Sequence, residues 1–405
     1  MLRSTIKYRL YPTKAQEKTL LGTLALCCEI YNACINWRRH DYEIFGHSPS
    51  RDDQVNALPS WKEKFPELQS VYAQVLQDTV RRVDKTYQAY FERLKDYQQR
   101  KAKGQSQPAE RCPGKPRFKG IGHYDSFCYP GDGFSIGEKV VGLSKIGKVK
   151  AKIHAPVPGT IKTCTIRRQS GKWYACISCV IEPEPLPAND RAVGIDVGLL
   201  EFATFSDDSP SIPTPRFFRQ EQKALAKAQR KRASRRPGTP GRKKANKVVS
   251  RVHERIRNKR TNFLHQESRK IVNTYGSIEV ERLQVQNMQS RPKPKQDEET
   301  GQYLPNGAST KSGLNKSIAD AAWHTFRLML SYKAERAGRE FAEVDPAYTS
   351  QDCLCGHRVK KRLDEREHHC DKCGLRMPRD KLSAQIILLR PALGVGRHTL
   401  AAKPA

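Results

Sequence analysis

The sequence predicts a multidomain α+β protein. Three observations carry that expectation: helical periodicity over the first hundred residues, a Gly- and Pro-punctuated run of short strands from Pro113 to about Pro187, and a pair of apolar strands opening a different domain near residue 190. At 405 residues two or three domains are expected, and 37% hydrophobic residues fill several small cores rather than one large one.

The opening IKYRLYP alternates as a strand over Ile6 to Tyr11 and is stopped by Pro12, after which Thr13 can cap a helix through Leu20, Leu21 and Leu24 to about Tyr42. A second helix is expected from Val71 to Arg100, with Val75, Val80, Val83, Tyr87, Tyr90, Phe91 and Leu94 on its apolar side. Strands follow at Glu138 to Leu143, Lys148 to Ile153, Ile161 to Arg168 and Trp173 to Ile181, a small barrel that the first strand would complete. After EPEPLPAND, the run AVGIDVGLLEFATFS reads as two apolar strands around a Gly turn. A polar insertion from Gln289 to Leu314 is expected to loop out or stay disordered without its ligand, and residues 394–405 read as a tail.

The charge is lopsided: 74 Lys and Arg against 42 Asp and Glu, a net +32. Such an excess favours a polyanion, and nucleic acid is the commonest one. Nearly half of it lies between Lys223 and Arg260, where sixteen basic residues face one acid, Glu254. The longest apolar run, Leu20 to Cys28, is nine residues, short of the roughly 20 that span a bilayer, so no membrane partner is expected. The start MLRSTIKYRLYP has no secretory apolar stretch or cleavage site, which predicts a cytoplasmic protein. Twelve cysteines in that reducing compartment are then buried thiols or metal ligands.

Three acids stand out. In AVGIDVG an apolar strand rises to Asp196, at a turn containing Gly198. A second apolar strand, Ser277 to Leu283, carries Glu279 and Glu281 on one face, and either could join Asp196 if the strands are neighbours. Asp380 begins a helical stretch whose Ala384, Ile387 and Leu388 form an apolar face. Taken singly, Glu281 and Asp380 read first as isolated ion-pair or capping residues, and only Asp196 stands out locally. Gathered together, three carboxylates repel unless hard divalent cations neutralise them, which selects magnesium or manganese. On a nucleic-acid-binding chain that points to phosphodiester hydrolysis by two cations about 3.5 to 4 Å apart.

Cys353 and Cys355 are followed after fourteen residues by Cys370 and Cys373, and both pairs end in Gly, as CLCG and CDKCG. The pattern resembles a zinc ribbon holding one zinc ion, with the glycines permitting the positive φ of a tight knuckle. The first pair is one residue shorter than the usual Cys-x-x-Cys, so either its knuckle is distorted or His357 replaces a thiolate. Cys176 and Cys179 lie three apart on a strand, hence on opposite faces, and cannot readily share a metal. Cys27, Cys28 and Cys34 fit a helix core.

Two basic elements suit nucleic acid. GKPRFKG, residues 114–120, sets Lys115, Arg117 and Lys119 around Phe118, a stacking face among phosphate donors. Lys243 to Arg260 has helical spacing, with Val248, Val249, Val252 and Ile256 inward and Arg251, Arg255, Lys259 and Arg260 outward.

Together these segments resemble the TnpB family, transposon-encoded RNA-guided nucleases related to type V CRISPR effectors. The resemblance runs through YRLYPTKAQ, GKPRFKG, GIDVG at Asp196, VHERIRNKRTNFLH from Val252, VERLQVQNM at Glu281, NKSIADAAWHTF from Asn315, TSQ before the first cysteine pair and LDEREHHCDKCG before Asp380. It implies a RuvC-like nuclease domain of RNase H fold over 189–350 and 376–393, with a zinc ribbon inserted at 351–375. Ahead of it the resemblance implies a β-barrel wedge domain of oligonucleotide-binding type, 1–15 and 113–188, enclosing a helical recognition domain, 16–112. It selects Glu281 over Glu279 as catalytic partner of Asp196 and Asp380. It also implies a guide RNA from the element's end and a DNA target beside a short motif, sequence being read by base pairing while the protein holds backbone and shape.

One departure bears on activity. The family carries Asp-Arg-Asp followed by x-Asn-Ala-Ala-x-Asn-Ile, whereas this chain has Pro378-Arg379-Asp380 and then Leu382 and Ile386 at the Asn positions. The alternative it favours is an RNA-guided DNA-binding regulator of the same architecture with weak or absent cleavage.

Overall fold

Alternation makes the first strand, and pairing makes it longer than alternation alone suggests. In the computed structural model β1 is Leu2–Tyr11, because it pairs antiparallel with β7 (Lys172–Ile181) from Leu2↔Ile181 to Leu10↔Trp173. The structure describes residues 2–104, 111–362 and 364–390. The expected tail, the end of the expected nuclease domain at 391–393 and part of the expected helical domain, 105–110, lie outside them. The chain divides into two units, Met1–Glu182 and Pro183–Ala405.

In the first unit β1 is the centre of a seven-stranded antiparallel sheet. The others are β2 (Ser126–Pro130), β3 (Phe134–Ile136), β4 (Val140–Leu143), β5 (Gly147–Lys152), β6 (Thr160–Gln169) and β7, in the order β2-β6-β7-β1-β5-β4-β3. The edge strands β2 and β3 are consecutive in the chain, joined through Gly131 and Gly133 at positive φ. Four residue steps reach at most about 14 Å, so the sheet must curl until its edges nearly meet. The first strand therefore lies mid-sheet, and the near-closure falls at the β2–β3 turn, neither strand of which had a clear sequence signal.

Between β1 and β2 come α1 (Lys14–Phe45), α2 (Arg51–Asn56), α3 (Leu58–Lys64) and α4 (Ala73–Ala102). Thr13 starts α1 with a capping box: its Oγ1 accepts from Gln16 N at 3.2 Å, while Thr13 N donates to Gln16 Oε1 at 3.1 Å. Gly46, at φ 72°, ends it. Leu20, Leu24, Cys27, Tyr31, Cys34 and Ile35 of α1 join Val75, Leu76, Val80 and Val83 of α4 and Phe127, Ile166, Trp173 and Ile177 of the sheet in one core. By length and composition alone α1 could cross a membrane. Its apolar face is instead core, and Arg38 near its end is buried in an ion pair with Asp84 at 3.0 Å. Burial pushes the Cys27 and Cys34 thiols up to about 12, as expected of core thiols. Cys176 and Cys179 do face opposite sides of β7. The apolar stripe expected along α4 stops being core at Val83; Phe91 is exposed.

The second unit is built on β8 (Ala192–Asp196), β9 (Glu201–Phe205), β10 (Ile212–Pro213), β11 (Ser277–Glu281) and β14 (Glu340–Val344), ordered β10-β9-β8-β11-β14. Strands β8, β11 and β14 are mutually parallel, and β9 runs antiparallel to β8. Between β10 and β11 the basic stretch folds as α5 (Phe217–Ala233) and α6 (Pro240–Thr274), packed through Leu225, Ala228, Val249, Val252 and Ile256. Val248, expected inward, is 47% exposed, because this seam is narrower than a full apolar face. The polar insertion is ordered rather than looped out. After α7 (Val285–Met288) it forms a hairpin of β12 (Lys295–Gln296) with β13 (Tyr303–Leu304) and the first half of α8 (Ala308–Ala321). Polar tethers hold it: Lys311 Nζ donates to Met288 O and Asn315 Nδ2 to Gln289 O, both at 2.8 Å. Next come α9 (Trp323–Arg336), β14, the pair β15 (Glu367–His369) and β16 (Arg376–Pro378), and α10 (Arg379–Leu389). Val193, Ile195, Ile278 and Val280 pack on Phe326, Leu330 and Ala334 of α9 and Leu264 and Val272 of α6.

Candidate catalytic and metal-binding site

Parallel pairing of β8 with β11 runs from Ser277↔Ala192 to Val280↔Ile195, so Glu281 comes opposite Asp196, each the last residue of its strand. Opposed residues of a parallel pair share a face, and the strands lie about 4.8 Å apart. Glu279 shares that face but is opposite Gly194, about 7 Å back along the strand, with its Oε1 accepting from Ser277 Oγ at 2.8 Å. Register, not residue type, separates the two glutamates.

Helix α10 is laid on this face. A Cβ at Gly194 would run into the carbonyl oxygen of Ala384 and stand 2.7 Å from the Leu388 nitrogen, so only glycine lets the helix backbone lie directly on β8. That seat fixes the start of α10, whose first turn carries Asp380. Leu382 and Ile386, at the positions where asparagine was expected, are 0% and 7% exposed, and they anchor the helix by packing.

The acids are electrostatically under-compensated. Burial, then the charges of Glu281 and Asp380, push the Asp196 carboxyl well above the usual carboxylate range; Arg379 and the Val197 N–H oppose the shift. Burial also raises Glu281, offset by a hydrogen bond donated by Thr349 Oγ1 to its Oε1 and by the charge of Arg390. Arg379 Nε stands 3.5 Å from Asp380 Oδ1. Asp196 and Glu281 thus end adjacent strands, with Asp380 on α10 within electrostatic reach of Asp196. Thr349 and Arg379 were not foreseen as site residues, although Thr349 opens the TSQ segment and Arg379 directly precedes Asp380.

The four cysteine sulfurs of 353, 355, 370 and 373 lie within 4.8 Å of one another, and His357 is not among them. Cys353 Sγ is 3.6 Å from Cys373 Sγ, and Cys355 Sγ 3.7 Å from Cys370 Sγ. Zinc–sulfur bonds of about 2.3 Å in a tetrahedron put sulfurs about 3.8 Å apart, so the donor set fits zinc. The shorter first pair is absorbed by a tighter turn: Gly356 N donates to Cys353 O, three residues back, whereas Gly374 N reaches Cys370 O, four back. Both glycines have the expected positive φ, 79° and 72°. Backbone N–H groups of Cys373 and Lys372 help bring the Cys370 thiol down to about 7, whereas burial pushes the Cys353 thiol up to about 12.

The basic elements are partly self-occupied. Residues 114–120 are strapped to α1: Asn32 accepts from Lys119 N and donates to Lys119 O, both at 2.8 Å. Lys119 Nζ lies over the rings of Tyr31 and Tyr124, at 4.6 and 5.4 Å, and the Arg39 guanidinium covers one side of Phe118 at 4.7 Å. Lys115 and Arg117 are exposed. On α6, Arg255 and Lys259 share Glu221 of α5 at 3.1 and 3.0 Å, two cations on one acid, and keep exposed side chains. Arg260, expected outward, instead turns in to pair with buried Asp320 at 2.7 Å.

Three family models match this chain. Residues 175–291 match OrfB_IS605, described as "Probable transposase", and residues 323–387 match the Cas12f1-like TNB domain. Residues 1–46 match the helix-turn-helix domain of OrfB_IS605, although here they are one strand and one unbroken helix. A Streptomyces pristinaespiralis relative named "Putative RNA-guided DNA endonuclease" is 29% identical over 397 residues, covering 96% of this chain and 89% of its own. The InsQ relative of Escherichia coli K12, named likewise, is 28% identical over 371 residues, covering 90% and 86%. Among solved structures, the Cas12f1 chain of a complex with single-guide RNA and target DNA aligns over 95% of this chain and 98% of its own, at TM-score 0.50 and 13% identity, a likeness of fold. The chain is thus similar over most of its length to relatives named RNA-guided DNA endonuclease, and its residues 175–291 match the OrfB_IS605 family model.

Proposed function

We propose that this protein is an RNA-guided DNA endonuclease encoded by a transposable element, cutting target DNA beside a short motif. The observation that carries the reading is the in-register placement of Asp196 and Glu281 at adjacent parallel strand ends, with Asp380 within electrostatic reach from α10. These three residues would hold two magnesium or manganese ions, which when bound supply an activated water and stabilise the leaving oxygen. The protein's own part is positioning. The Gly194 seat holds Asp380 in place, Thr349 orients Glu281 through its hydroxyl, and Arg379 limits the repulsion around Asp380.

On this reading the second unit is a RuvC-like nuclease domain of RNase H fold, and the four cysteines bind one zinc ion as an inserted ribbon. The nearly closed sheet of the first unit is the wedge, and α1 to α4 form the recognition domain. Guide RNA and target DNA are the partners, a reading supported by the names of the relatives and by the contents of the Cas12f1 complex. In the first unit Lys115 and Arg117 would lie on phosphate backbone beside Lys119 and Phe118, and in the second unit Arg255 and Lys259 would do the same.

Incubating the purified ribonucleoprotein and magnesium with a plasmid library tests the reading. Cleavage dependent on the guide, lost on chelation and in Asp196→Ala, is expected. The second reading, a DNA-binding regulator with weak or absent cleavage, is favoured by Leu382 and Ile386, which put aliphatic packing where the family carries amides. It predicts plasmid that is bound but uncut, with Asp196→Ala indistinguishable from the parent.

A further inference from the structure

Two segments that carry the family resemblance have no part in the metal chemistry, RNKRTNF of α6 and NKSIADA of α8, and they meet at a cavity of about 420 Å³. Its wall is aromatic. Phe263 stands edge-on to Phe202 at 5.0 Å and to Phe217 at 5.9 Å. Exposed Arg216 and Arg219 add cations to its lining. Inside is Asp320, 8% exposed, with Oδ2 accepting from Phe218 N and Oδ1 from Arg260 Nη2, both at 2.7 Å. Each of its oxygens keeps a second acceptor position.

We propose that this cavity receives one unstacked nucleobase of the DNA strand presented to Asp196, Glu281 and Asp380, with Arg216 and Arg219 on its flanking phosphates. The proposal rests on the nuclease reading and adds a subsite to it. A wall of phenylalanine rings selects a planar π system. The Asp320 carboxylate, with an acceptor position left on each oxygen, suits an amino group on the hydrogen-bonding edge of a base. A free phosphate would use the arginines but leave the rings without a role and meet the Asp320 charge. The volume is that of a small-ligand site. Leu199 lines the cavity three residues after Asp196, hence within about 11 Å of it along the chain, which puts the captured base a few nucleotides from the scissile phosphate. Holding that base fixes the strand in register with the carboxylates.

The test is photocrosslinking. Target strands bearing a single 5-iodouracil, walked through the positions around the cut, are bound to the Asp196→Ala ribonucleoprotein, and crosslinked peptides are identified by mass spectrometry. One position should crosslink to the peptide carrying Phe217 or Phe263. The yield should fall at least about fivefold in Leu200→Trp, which narrows the cavity at an exposed lining residue, and in Phe217→Ala. Crosslinks at every position mapping elsewhere, or a yield unchanged in Leu200→Trp, would overturn the proposal. Because the readout needs no cleavage, a wild-type protein that cuts without this crosslink refutes the subsite alone. A crosslink without cutting refutes the nuclease reading alone.

Discussion

Glu281 stands opposite Asp196 because Val280 pairs with Ile195, and a shift of two residues would have put Glu279 there instead. The two glutamates are alike in chemistry and in face, so substituting them one at a time separates register from composition. Glu281→Gln should lower cleavage more than about 100-fold, beyond what loss of an outer-shell partner costs. Glu279→Gln should keep it within about threefold, since its carboxylate is engaged by Ser277 away from the strand end. Plasmid cleavage rates at saturating magnesium measure both.

Gly194→Ala leaves all three acids in place and removes the seat of α10. Overpacking against helix backbone costs about 1 to 3 kcal/mol or more, and the strain is relieved by shifting the helix that carries Asp380. A lowered Tm together with a cleavage loss of roughly 100-fold, from a displacement of about 1 Å, is expected. Full activity in this variant would show that α10 does not position the site.

The cysteine cluster predicts one zinc per chain by elemental analysis. Cys370→Ser with Cys373→Ser should abolish it, whereas His357→Ala should retain it, because His357 is outside the cluster. Unchanged zinc in the double cysteine variant would refute the assignment.

Lys333 gives a pH signature. Its buried ammonium donates to His265 O and Ser268 Oγ at 2.7 Å, and burial brings it down to about 8 from 10.5. Between those values the unfolded chain holds a proton that the folded chain has released, so this residue's contribution to stability rises with pH from about 8 to 10.5. The gap corresponds to a gain on the order of 3 kcal/mol relative to neutral pH. Lys333→Met should flatten that rise when denaturation midpoints are compared with the parent across pH 7 to 10.5.

Salt dependence sorts the basic residues. Removing Lys115 and Arg117 together should reduce the slope of log affinity against log salt by about 1.5, at about 0.7 to 0.9 per phosphate contact. Arg260→Ala should leave the slope unchanged and lower Tm, because its charge is spent inside the fold on Asp320. Equal slopes for all three proteins would remove Lys115 and Arg117 from the phosphate surface.

Much of this was legible in the sequence, and the remainder divides by physical cause. Asp196 was legible because an apolar strand ending in an acid and a Gly turn is a local pattern. The choice between Glu279 and Glu281 was not local, since alternation gives both the same face and only the partner strand sets register. Thr349 reaches Glu281 across 68 residues, a contact that no periodicity encodes. The inward turn of Arg260 and the exposure of Val248 depend on Asp320 and on the narrow α5–α6 seam, so helical spacing located the face without fixing its width. The polar insertion holds its shape through side chain to backbone hydrogen bonds, which composition does not reveal.

The central claim is that Asp196, Glu281 and Asp380 form one divalent metal site. Anomalous diffraction at the manganese edge from crystals of the ribonucleoprotein tests it directly. Two peaks about 3.5 to 4 Å apart among these three carboxylates, absent in Asp196→Ala, are predicted. Manganese bound elsewhere, or peaks that persist in that variant, would contradict it.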